Sequence, residues 1–173
     1  MISCTEFIPA YSELFKFIEQ REGYEGVVEY WNLISDEYVE GRLGEEVRKS
    51  GLAGCFVYWA KALNEEAADF TMTLDEDNGY FEIVMHSCPS KGRLLEFVHM
   101  EPYPRYSDHC DVLYRRVLEK FGYVCTYQLP RPTEKHCSLL IFDPKVADAE
   151  TVAAALEREK ERNALLERER QQG

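Results

Sequence analysis

The stretch "FTMTLDEDNGYFEIVMHSC" (residues 70–88) decides the fold class. Phe70, Met72 and Leu74 alternate with Thr71 and Thr73. After "DEDNG", Phe81, Ile83 and Met85 alternate with Tyr80, Glu82, Val84 and His86. A period of two on either side of an Asn-Gly turn predicts an antiparallel hairpin with one face in a core. By the same alternation His86 and Cys88, two apart at a strand end, are expected on one face, with Tyr80 and Glu82.

Working outward, the period changes. Residues 10–48 read as two or three helices, with Phe15, Ile18, Val27, Val28, Trp31 and Ile34 at helical spacing and Gly23, Gly26, Gly41 and Gly44 as breaks. "GLAGCFVYWAKALNEEA" (51–67) is apolar around most of its girth, as a central helix would be. Beyond the hairpin, residues 90–106 form a connector of one helical turn and a Pro-punctuated loop. Ser107 is placed to cap a helix through Phe121 that Gly122 ends. Strands follow near 123–129 and 135–142. The order is a helical N-terminal half and then β-β-α-β-β, an α+β fold with a four-stranded, mainly antiparallel sheet. Residues 1–145 make one α+β domain. Residues 146–173 form a charged C-terminal helix, whose sparse apolar positions, Val152, Leu156 and Leu165, predict a docked first turn or two and a solvated remainder.

Composition bounds the function. The chain has 173 residues, 45% of them apolar, and a net charge of −12. That acidity excludes nucleic acid and anionic membrane surfaces as natural partners. The opening "MISCTEFIPAY" has no signal-peptide pattern and no ~18-residue apolar run occurs, so a cytoplasmic protein is expected. Six cysteines without a CxxC then read as thiols, ligands or core residues. Cys4, Cys55, Cys125 and Cys137 are expected in packing.

Three of the four histidines stand within two positions of a cysteine: His86 and Cys88, His109 and Cys110, His136 and Cys137. Cys88 precedes a proline where a strand opens into a loop. Cys110 falls near the start of a helix, where unpaired N–H groups favour a thiolate, though Asp108 and Asp111 oppose this. His136 joins Glu82, His86 and Cys88 on the chemically capable sheet face, and Glu82 with His86 could act as an acid/base pair. His86, Cys88, His109 and Cys110 have the ligand types of a zinc site, without a spacing that makes them converge. Tyr58, Trp59 and Tyr106 are the candidate walls of a substrate site. His99 stands alone, as a surface residue. No phosphate loop, GxSxG or HExxH is present.

The two motifs "MHSCPSKG" (85–92) and "YSDHCDVLYRRVLEKFGY" (106–123) resemble the L-2-amino-thiazoline-4-carboxylic acid hydrolase-like family, over residues 25–142. That resemblance implies an α+β domain with a helical front half and hydrolytic opening of a small cyclic amidine at a C–N bond. It carries roles to Cys88, Cys110 and the neighbouring His109.

The leading expectation is a C–N hydrolase for a small molecule. Cys88 or Cys110 is its nucleophile and His109 or His86 its acid/base, with no cofactor required. The alternatives are a non-catalytic module that binds a small ligand or zinc, and an interaction protein whose terminal helix docks a partner or a second copy.

Overall fold

The computed structural model describes residues 4–171, and the expectation for Cys4 falls on a side chain outside the described ones. The front half is helical: α1 (Cys4–Ile34), a wide π-helical stretch (Ser35–Gly44), α2 (Glu45–Ser50) and α3 (Leu52–Glu65). Gly23 breaks α1 with φ 72° and ψ −179°, a conformation costly for any other residue. The chain reverses there. Phe15 and Trp31, both 0% exposed, meet edge to face at 5.2 Å between ring centroids. Sixteen residues of continuous helix would hold them ~24 Å apart. Of the four predicted glycine breaks only Gly23 acts as one, since Gly26, Gly41 and Gly44 lie within helical turns. The second reversal is at Gly51, after α2, and Gly54 then lets α3 pass close to α2. A Cβ at Gly54 would stand 2.0 Å from the Glu46 carbonyl oxygen.

The sheet follows the predicted alternation. Strands β1 (Asp69–Asp75), β2 (Tyr80–Ser87), β3 (Val124–Gln128) and β4 (Cys137–Phe142) pair antiparallel in the order β1-β2-β4-β3. The hairpin turn is held by Asp75, which accepts hydrogen bonds from the backbone and side-chain nitrogens of Asn78 at 3.0 and 2.8 Å. Phe81, Ile83, Met85, Leu139 and Ile141 form the buried inner face. Helices α3 and α5 (Asp108–Glu119) pack on the sheet. The connector holds a longer helix than expected, α4 (Pro89–Glu96). Ser107 precedes α5 in helical conformation and its side chain makes no cap.

The terminal helix α6 (Ala149–Arg170) corrects the sequence reading, because it is docked almost to its end. Ala155 and Leu166 are each 2% exposed, while the predicted contact Leu156 is 40% exposed. Polar groups do most of the docking. Glu159 accepts from the Tyr127 N–H at 2.8 Å and pairs with Arg115, whose guanidinium also donates to the Cys125 carbonyl at 2.6 Å. These contacts satisfy the unpaired edge of β3. Further along, Arg162 donates to the Leu129 carbonyl, Glu167 accepts two bonds from Arg105, and Arg170 pairs with Asp108 at the head of α5. Charged residues that read as a solvated helix have fixed partners instead. No helix among the described residues is long and apolar enough to cross a membrane.

Candidate active site

Between the inner sheet face and helices α3, α4 and α5 lies a cavity of ≈ 230 Å³. It exists because small side chains, Ala62, Ser90 and the three thiols of Cys88, Cys110 and Cys137, stand where larger ones would fill the core. Apolar side chains such as Trp59, Leu63, Ile83 and Leu139 make most of the remaining wall.

The two cysteine motifs meet at this cavity. Cys88 and Cys110 both line it, from the start of α4 and the first turn of α5, and His109 lines it beside Cys110. His109 is oriented by the backbone. Its Nδ1 contacts the Tyr106 carbonyl oxygen, which can only accept, so Nδ1 carries the proton. Nε2 is then a free base, and it lies 3.5 Å from Cys110 Sγ, within reach of the thiol hydrogen. A carbonyl, an imidazole and a thiol thus stand in the relation that activates a nucleophile. Tyr106 also bonds Ser90 through its hydroxyl at 2.6 Å. Its ring is 2% exposed and packs against His109, so it holds the site without lining it.

Electrostatics keep the pair neutral at rest. Burial lowers the pKa of His109, despite the Tyr106 carbonyl and Asp108, which act the other way. Burial, with Asp111 and Asp108 adding to it, pushes the Cys110 thiol up to about 12. Cys137 is likewise raised, by burial first. Cys88 is also raised by burial, but the amides of Lys91 and Ser90 and the Lys91 ammonium oppose the rise.

His86 does not join them. It is exposed on the outer sheet face, with Nε2 2.8 Å from Thr71 Oγ1. The alternation that put it with Cys88 fails for two reasons. The pairing of β1 with β2 shifts register between Asp69 and Phe70, opposite His86, and the strand ends at Ser87 so that Cys88 turns inward as the cap just before α4. Glu82 and His136 also stay outside the cavity. Glu82 pairs across the outer face with Thr73 and Leu140, and His136 is exposed beside Glu134 at 3.7 Å. No acid/base pair of Glu82 with His86 lines the cavity. The proposed zinc ligands are split in the same way, and among the described residues no group of three or more His, Cys, Asp or Glu side chains is placed to hold a metal ion.

Of the predicted walls, Trp59 lines the cavity, while Tyr58 lies behind it against Trp59 and Tyr114. Sequence reasoning missed Tyr114, Ser90 and Cys137 as lining residues. Tyr114 could have been found one helical turn beyond Cys110. Cys137 was correctly placed with Leu139 and Ile141 on the inner face, but that face reads from sequence as solid core. Comparisons with family models, curated proteins and solved structures find no match for the chain.

Proposed function

We propose that the cavity is the active site of a small-molecule hydrolase that opens a C–N bond, with Cys110 as nucleophile and His109 as its base. The observation that carries this reading is the 3.5 Å approach of a free imidazole Nε2 to the Cys110 sulfur at the wall of a ligand-sized hollow. The substrate class, a cyclic amidine, comes from the resemblance of the two cysteine motifs.

The thiol rests protonated, so attack and deprotonation are coupled. As sulfur bonds to the amidine carbon, Nε2 takes the thiol proton and the C=N π pair moves to nitrogen. The imidazolium then gives that proton to the ring nitrogen, and as the C–N bond breaks the exocyclic amino group passes one of its own protons to the departing nitrogen and its lone pair forms the C=N of a thioimidate. Water attacks the resulting thioimidate, His109 accepts its proton and returns it to the leaving sulfur. A neutral imidazole suits this sequence, because general acid–base transfer needs a base that is unprotonated at the start. Serine hydroxyls of Ser90 and Ser107 line the same cavity and can donate to the developing negative charge. No metal or organic cofactor enters any step.

The test is turnover of cyclic amidines, with 2-aminothiazolines first, followed by loss of the ring in NMR spectra. Cys110→Ala should abolish it and His109→Gln should lower it by about 10²–10⁴-fold. Full turnover in Cys110→Ala would end the proposal. The apolar character of the wall favours a second reading, a module that binds a small apolar ligand without turning it over. Saturable binding of an apolar probe to Cys110→Ala and wild type alike, with no amidine turned over, would favour that reading.

A further inference from the structure

His86 and His136 are left out of the cavity, but the sheet brings them together on its other side. Strands β2 and β4 pair in a register whose last partners are Met85 and Cys137, so the next residues along the two strands are His86 and His136. Just beyond them the Cys88 N–H donates to the Lys135 carbonyl at 2.7 Å, which keeps the two backbones adjacent past the histidines. Residues that face each other across antiparallel strands have Cβ atoms ~5 Å apart. Both histidines are exposed, and both line one open groove of ≈ 470 Å³ with Gln128, Ser138 and Arg162.

Each imidazole turns one nitrogen toward an oxygen. His86 Nε2 lies 2.8 Å from Thr71 Oγ1 on β1, and His136 Nε2 lies 3.7 Å from the Glu134 carboxylate. The two nitrogens of an imidazole point in nearly opposite directions, so the Thr71 bond leaves His86 Nδ1 facing away from β1. A ring N–H held by an oxygen, with the second nitrogen bare, is the arrangement of metal-binding histidines. The guanidinium in the groove does not compete for the same place. Arg162 is engaged by Glu134 and by the Leu129 carbonyl, each at 2.7 Å. The net charge of −12 draws cations toward the molecule.

From this pairing we infer that His86 and His136 form a two-imidazole site for a divalent transition-metal ion of the zinc class. The site lies on the opposite face of the sheet from the cavity, and the inference is independent of the hydrolytic reading. Imidazole nitrogen favours Zn²⁺, Cu²⁺ and Ni²⁺ over Mg²⁺ and Ca²⁺, which take oxygen ligands. Two protein donors leave two positions of a tetrahedral ion to water or a small anion, so the ion is exchangeable rather than structural. Bound there, it ties the end of β2 to the approach to β4, behind Met85 and Cys137, which line the cavity from the inner face.

The test titrates the full, untagged, metal-free chain with Zn²⁺ above pH ~7, where imidazoles are neutral, and follows the histidine ring resonances by NMR. Those of His86 and His136 should move together and saturate at a single ion per chain, while the exposed His99 stays still. His86→Gln and His136→Gln, at exposed positions where the fold tolerates change, should each weaken binding by at least about tenfold. Thr71→Val should weaken it by a smaller factor, and Thr71→Ser should restore it. Movement of one ring alone, undiminished affinity in either glutamine variant, or displacement by Mg²⁺ would overturn the inference. So would a first ion taken by His109 and the cavity thiols.

Discussion

His109 and His86 each stand beside a cysteine in the sequence, and they end on opposite sides of the sheet. His109 is enclosed between α5 and the front helical hairpin, where Phe15, Trp31 and Tyr106 surround its ring. His86 is exposed on the outer face with a threonine for company. The contrast teaches that proximity to a cysteine is not the chemical signal. What distinguishes His109 is a backbone carbonyl that fixes its tautomer and a place beside Cys110 at the wall of a largely apolar cavity. The inner face of the sheet carries the candidate site, where helices α3, α4 and α5 leave a hollow incompletely filled.

The sharpest way to break this contrast is to compare neighbours that point in opposite directions. Phe81 is 0% exposed and stacks on Trp59 at 5.8 Å, whereas Glu82 faces outward. Phe81→Ala should cost ~3–5 kcal/mol in urea denaturation, and Glu82→Ala should stay within ~0.5 kcal/mol. Similar losses at the two positions would mean that the outer face is covered as well.

A smaller effect sharpens the account of His109. Its pKa is lowered by burial, so the unfolded chain binds the proton first as pH falls. The stability that its neutrality contributes is present above ~6.5, the ordinary histidine value, and is lost as pH falls from there toward the folded value. This one group adds at most ~1.4 kcal/mol per pH unit to the slope. Asp108 and Asp111 beside it are also perturbed, both raised by burial. The difference between wild type and His109→Gln therefore isolates the imidazole, and the variant should lose less stability than wild type below ~6.5. Parallel curves would contradict a neutral resting His109.

Most of the framework was legible in the sequence, because it follows from periodicity. The hairpin, the inward set of Phe81, Ile83 and Met85, and the α5 stripe through Leu113 and Val117 all appear where their spacing put them. The failures have local causes. A register shift of one residue and the early start of α4 separated His86 from Cys88, and no periodicity reports a bulge. The docking of α6 was hidden because Glu159, Glu167 and Arg170 bind distant partners, and a charge pattern along one helix cannot show them. The candidate site was half legible. Cys88, His109, Cys110 and Trp59 were named from sequence, but the hollow between them is a property of packed volumes.

The imidazole ¹⁵N shifts of His109 test the central claim most directly. At neutral pH the account predicts a proton on Nδ1 and a bare Nε2, whose resonance moves when Cys110 is changed to Ala. A protonated Nε2, an imidazolium, or an Nε2 signal indifferent to Cys110→Ala would contradict it.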